Sequence, residues 1–175
     1  MAYVDQPLGE FLALVAEPTP APGGGTVAAV TASLAAGLVA MAGPENPENV
    51  DALRRRAAAL ADEDAAAYSE VIHARRDGVS DTDAMTRAAE VPLEIAATAA
   101  EIARCAAELF LTGRSSVRGD VHTALLLAEA ATCSAAYLVE INVEAGGGTR
   151  DLVDRARAHI DAAREARERT AGLSS

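Results

Sequence analysis

Residues 20 to 42, PAPGGGTVAAVTASLAAGLVAMA, join a proline and three consecutive glycines to a charge-free run of small residues. Pro22 suits a helix start, where its missing N–H costs nothing. Gly23, Gly24 and Gly25 permit backbone angles and close approaches that a Cβ forbids. Thr26 can then cap the helix that follows. Several amides left unpaired at such a start, together with the positive end of the helix dipole, suit a carboxylate, a phosphate or an electron-rich ring. A tight turn between two packed helices accounts for the same residues without a ligand. Nucleotide loops are excluded: GxxxxGK[ST] needs a lysine that the chain lacks, and GxGxxG should follow a strand, of which the sequence shows no trace.

Two carboxylates are candidates for chemistry. Asp120 follows the loop Gly113-Arg114-Ser115-Ser116-Val117-Arg118-Gly119 and stands at an expected helix start. There it can serve as an N-cap, or orient a water or move a proton, with Arg114 and Arg118 holding an anionic tail of a substrate. Asp64, in ADEDAAAY, lies within an expected helix, either on a solvated face or pointing into a cleft beside Tyr68. The three histidines, His73, His122 and His159, form no metal-binding spacing, so no metal site is expected. His122, two residues after Asp120, can approach the same pocket as Asp120. Cys105 and Cys133 sit singly in Ala-rich periodic stretches and read as free, buried thiols. No nucleophile-elbow pattern is present.

The elements that must position these groups are all helical. The 175 residues are half apolar but only 3% aromatic, with no Trp. The core must therefore be built from Ala, Leu, Val and Ile at short distances, which favours closely packed helices. A single domain spanning 1–175, hiding roughly 70% of its unfolded surface, is expected. Periodicity gives a short amphipathic helix within Val4 to Ala16, ended by Pro18 and Pro20. A second runs from Thr26, with Val27, Val30, Leu34, Leu38 and Met41 in one stripe and Ala28, Ala32, Ala35 and Ala36 offering a flat surface to a neighbour. Gly43 and Pro44 stop it. A third covers Asn49 to Arg76, closed by Asp77-Gly78. A fourth is capped by Ser80 or Asp81 and runs to about Leu111, with Pro92 kinking it. A fifth spans about Asp120 to Ala145, ended by Gly146-Gly147-Gly148 as a flexible C-cap, and a sixth Asp151 to about Thr170. The expected fold is an all-α, multihelical up-and-down bundle of five to six helices.

The net charge of −11 argues against a nucleic-acid partner, and no basic amphipathic segment is present to hold a membrane. The uncharged run from Pro18 to Pro44 approaches membrane-spanning length, but its Ala, Gly, Ser and Thr content reads as a buried helix. The start MAYVDQPLGE has an early acid and no basic region before an apolar run, so a secretory signal is not expected and a cytoplasmic location is.

Taken in order, these segments resemble the cyclodeaminase/cyclohydrolase family, which comprises the helical domain of formiminotransferase-cyclodeaminase and free-standing methenyltetrahydrofolate cyclohydrolases. PAPGGGTVAAV looks like the family's Gly-rich segment, DEDAAAY its Asp-Ala-x-Ala-aromatic stretch, EVPLEIA its Val-Pro-Leu helix, and GDVHTALLLAEAA with EINV its last acidic-loop helix. The resemblance covers most of the chain. It implies an all-α homodimer that binds a tetrahydrofolate derivative near the Gly loop, with no metal or organic cofactor. The implied reaction is ammonia elimination closing 5-formiminotetrahydrofolate to the methenyl form, or hydrolysis of that ring. Asp64 and Asp120 become the implied acid/base groups. Relatives commonly carry a basic stretch where this chain reads AGPENPENV, which removes an anchor for folate glutamates. The alternative is a catalytically altered or inactive ligand-binding or dimer module of the same family.

Overall fold

The computed structural model describes residues 2–78 and 82–171. Among these residues there is no strand; six α-helices and two single 3₁₀ turns carry the chain. A 3₁₀ turn at Tyr3–Asp5 precedes α1 (Leu8–Ala16). The helical reading of Val4 to Ala16 is thereby corrected at its start, because Pro7 forces Gln6 into an extended conformation (ψ 151°) and delays the helix to Leu8.

Helix α2 is Gly24–Ala42, with Gly23 at its N-cap. It starts two residues earlier than expected, so Thr26 is inside the first turn and is not the cap. At its other end Gly43 takes a left-handed conformation (φ 81°), which favours glycine. Helix α3 (Pro47–Arg76) also starts early: Pro47 occupies the first turn, and the Asn46 side chain accepts from the Asn49 N–H at 3.1 Å. Helix α4 is Thr82–Thr112 and continues through Pro92. The expected caps Ser80 and Asp81 lie outside the described residues. A 3₁₀ turn at Ser115–Val117 leads into α5 (Arg118–Glu144), and α6 is Arg150–Ala171.

Alanine sets the spacing of the bundle. On α2, Ala29, Ala32, Ala35 and Ala36 are fully buried, and on α5 so are Ala124, Ala128 and Ala135. Helix α5 packs along α4 and α2, α2 also lies on α3, and α6 covers α4 and α5. One core cluster unites Val39 of α2 with Val121 and Leu125 of α5; the other unites Ala28 and Ala29 with Ala136 and Val139. Helices α2 and α5 are therefore antiparallel, and the start of α2 meets the end of α5. The flat Ala face of α2 expected from sequence is the one that docks. Of the stripe of larger residues, Leu34 is 62% and Met41 54% exposed, in register with Val27 one heptad earlier, whereas Val30 and Leu38 pack partly against the core. Helix α2 and the 115–144 stretch are each long and apolar enough to cross a membrane, by length and composition, and half of each apolar window is buried within the bundle.

Candidate active site

The start of α2, the middle of α3 and the end of α5 enclose a cleft of about 340 Å³. Gly23, Gly24 and Gly25 form one side, continued by Thr19, Pro20 and Ala21 of the preceding loop. Asp64 and Tyr68, one turn apart on α3, form a second; Leu138, Ile141 and Asn142 of α5 form the third. Ala88 and Pro92 of α4 close the floor.

Asp64 is the ionisable centre of this cleft. Its Oδ2 accepts the Thr26 hydroxyl at 3.0 Å, and the carboxylate also accepts the Thr26 main-chain N–H. It thus takes one of the donors that the first turn of α2 cannot satisfy internally, as a cap supplied from another helix. Gly25 is what admits it: a Cβ at Gly25 would overlap the carboxylate, whereas one at Gly24 would meet only Leu138 Cδ1 at 3.9 Å. Burial pushes the Asp64 carboxyl above its ordinary value, and the two Thr26 donors pull back part of that shift. The group therefore holds a proton more readily than a solvated aspartate. The N–H groups of Gly24 and Gly25 precede the first intrahelical bond, Val27 N–H to Gly23 O at 3.0 Å, and so have no partner within the helix.

On the α5 side, Asn142 is held by two bonds. Its Nδ2 donates to Ala88 O at 2.5 Å, and its main-chain carbonyl accepts the Gly147 N–H at 2.8 Å. Ala88 O is the carbonyl that residue 92 would bond within α4, and Pro92 has no N–H to offer. Gly147 closes against this point without a Cβ, which would overlap Met85 O and crowd Asn142 O. The second glycine triplet is therefore an ordered C-cap, with Gly146 and Gly148 at positive φ (104° and 90°).

The structure brings together Gly23, Gly24, Gly25 and Asp64, with Thr26 buried behind the carboxylate. Pro22, which follows a cis peptide bond, is buried beside the loop and does not line the cleft. Asp120 corrects two expectations. It is an exposed residue in the first turn of α5 rather than its cap, which falls at Val117. It also lies 22 residues from Asn142 on one continuous helix, about 33 Å at 1.5 Å per residue, so it is not in the Gly-loop cleft of its own chain. Arg114, Arg118 and His122 share that far end. There the Arg118 guanidinium stacks 5.6 Å from the Phe110 ring centroid, and Phe110 lies 5.8 Å from the His122 ring. No basic side chain among the described residues lines the cleft. Among the described residues no group of three or more His, Cys, Asp or Glu could hold a metal ion. Cys105 and Cys133 are free but only partly buried, and burial raises both thiols above their ordinary value.

Sequence reasoning missed Asn142, Ala88 and Tyr3. The Tyr3 N–H donates to Asp62 Oδ1 at 3.0 Å, and its ring meets Phe11 edge-on at 6.0 Å. Burial, then the charges of Asp62 and Asp64, raise the Tyr3 phenol above its ordinary value. The N-terminal turn thus sits close enough to Asp64 to feel its charge.

The chain is thus an all-α bundle whose Gly-started helix is capped by a carboxylate from the next helix. A family model described as formiminotransferase-cyclodeaminase matches residues 7–44 and 44–162, and the chain belongs to that family. The formimidoyltransferase-cyclodeaminase of Sus scrofa is 30% identical over 170 residues, taking in 82% of this chain and 31% of its own length. The chain thus spans about a third of that curated relative. The crystal structure of formiminotetrahydrofolate cyclodeaminase from Thermotoga maritima has the same fold, with a TM-score of 0.83, 23% identity, and coverage of 97% of this chain and 98% of its own.

Proposed function

We propose that this chain is a formiminotetrahydrofolate cyclodeaminase with Asp64 as its acid/base group. The observation that carries the reading is the Asp64 carboxyl, held by Thr26 against Gly25 in a cleft and given a raised proton affinity by burial. In the reaction, N10 of the protonated formimino substrate adds to the formimino carbon. Asp64 accepts the N10 proton and returns it to the departing nitrogen, which leaves as ammonia. The C–N bond to that nitrogen breaks, and the positive charge remains on the N5–C–N10 bridge of the methenyl product. A cleft lined, among the described residues, by one carboxylate and no cation suits that charge. The scheme calls on no resident metal or organic cofactor.

The reading of an altered or inactive module is not favoured, since Gly25, Thr26 and Asp64 form a complete unit. The test is purified protein with 5-formiminotetrahydrofolate, following methenyl absorbance and released ammonia together. Acceleration of both over buffer, lost in Asp64→Ala, is expected. No acceleration at any pH overturns the reading. Consumption of the methenyl form without ammonia assigns the hydrolytic reaction instead.

A homodimer is part of the proposal. Leu34 and Met41 of α2 and Tyr137 and Ile141 of α5 are exposed apolar side chains on two packed helices, Ile141 at the cleft itself, and each such side chain gains about 1.5–3 kcal/mol when fully buried. An isologous two-fold contact through this face, with its axis across the helices, sets the α5 start of one copy near the α5 end of the other. The Arg114, Arg118 and Asp120 end would then stand by the cleft that lacks cations. Leu34→Asp is expected to give a folded monomer by light scattering; an unchanged dimer counts against this face.

A further inference from the structure

Asn142 has a side-chain oxygen that no hydrogen bond among the described residues reaches. Its Nδ2 is committed to Ala88 O and its main-chain carbonyl to the Gly147 N–H, so the side-chain oxygen Oδ1 is what it presents to the cleft whose wall it forms. A freely rotating Asn could offer either end of its amide. This one cannot, because Pro92 withholds the N–H that would otherwise satisfy Ala88 O, and that carbonyl takes the amide NH2 in its place. Gly147 fixes the same residue from the other side. A proline within one helix and a glycine triplet after another thus converge on one residue, and the proline sets the polarity of its side chain.

We infer that Asn142 is a specificity-determining residue: its Oδ1, locked as an acceptor by the Pro92-freed carbonyl of Ala88, receives an N–H of the 2-amino group on the substrate's pyrimidinone ring. The inference rests on the folate reading above. Between Asp64 on α3 and Asn142 on α5 the cleft has apolar wall at Ala65, Pro92, Leu138 and Ile141, with Tyr68 beside them. Acceptors around an apolar slot select a flat ring rich in N–H donors. The amino-pyrimidinone half of a tetrahydropterin has such donors at its 2-amino group and N3, remote from the N5–N10 bridge where Asp64 acts. Pro92 is a positioning residue in this scheme, since it acts through Asn142.

The test measures binding by calorimetry of tetrahydrofolate and of its 2-desamino-2-methyl analogue to the full chain, Asn142→Leu and Pro92→Ala. The unaltered chain is expected to prefer the parent by about tenfold, the worth of one well-made hydrogen bond. In Asn142→Leu the preference should fall to within about twofold, with KM for the formimino substrate raised more than kcat is lowered. Pro92→Ala restores an N–H for Ala88 O. It should melt no lower than the unaltered chain and still lose most of the preference, which a purely structural role for Asn142 does not predict. An unchanged preference in Asn142→Leu overturns the inference, and an unchanged preference in Pro92→Ala overturns the lock. Failure of the unaltered chain to bind tetrahydrofolate overturns the folate reading and this inference together.

Discussion

Gly25→Ala isolates the contact on which the site depends. In an ordinary helix the change is favourable by about 1 kcal/mol. Here the new Cβ overlaps the Asp64 carboxylate, so Asp64 must rotate away from both the Thr26 hydroxyl and the Thr26 N–H. A hydrogen bond to a charged group contributes about 1.5–3 kcal/mol, and two weakened together, less the helix gain, leave a net loss of about 2–4 kcal/mol. For a chain of this size each kcal/mol moves the midpoint by about 2–4 °C, so calorimetry should show a fall of about 4–16 °C. Gly24→Ala is the control: its Cβ meets only Leu138 Cδ1 at 3.9 Å, an ordinary contact, and its midpoint should hold or rise. In an Asp64→Ala background the obstacle is gone, and Gly25→Ala should cost nothing more. A Gly25→Ala protein as stable as the parent, or a cost that persists without Asp64, refutes the reasoning.

Asp64→Asn should abolish turnover while stabilising the protein in a pH-dependent way. Because the folded carboxyl titrates above its ordinary 3.8, the stability it contributes is present at acid pH and lost as pH rises through the folded value. The midpoint gain of Asp64→Asn over the parent should therefore be largest near pH 8 and shrink toward pH 4; a gain independent of pH sinks the assignment. Arg167→Ala should cost about 1–2 kcal/mol, because it strands Glu129, whose side chain is 10% exposed and 3.0 Å from the guanidinium, although the half-exposed Arg moderates the loss. Adding Glu129→Gln should recover most of that cost in urea unfolding, and no recovery would show that the pair is not the cause.

Local chemistry made the helices legible. Gly43 stops α2, Asp77-Gly78 closes α3 and the second glycine triplet closes α5, all at positions where a left-handed residue or a break in periodicity declares itself. The starts were less legible. Pro7 delays α1, Pro47 opens α3 and Arg118 begins α5, because a proline or a preceding 3₁₀ turn resets the first turn in ways that periodicity does not register. The two acids separated for a reason of length. Asp64 lies 39 residues from Gly25 but on the adjacent antiparallel helix, so the chain returns it to the loop. Asp120 lies in the first turn of a 27-residue rod whose other end forms one wall of the cleft, and no local bend can bring it back.

The sequence motifs that look separate answer one another in pairs. The glycine at position 25 and the acid at position 64 are a single requirement, since the first leaves the space that the second fills and the second supplies the acceptor that the first turn of α2 lacks. Pro92 and Asn142 are another, since one frees a carbonyl and the other donates to it. Neither pairing is visible in periodicity, because each joins a backbone deficiency on one helix to a side chain on another. Each is nonetheless written in residue types that a helix interior disfavours: a glycine in a first turn, an acid facing inward, a proline in mid-helix and an asparagine near a C-terminus. Four locally costly choices converge on one cleft of about 340 Å³, which is where function rather than packing accounts for them.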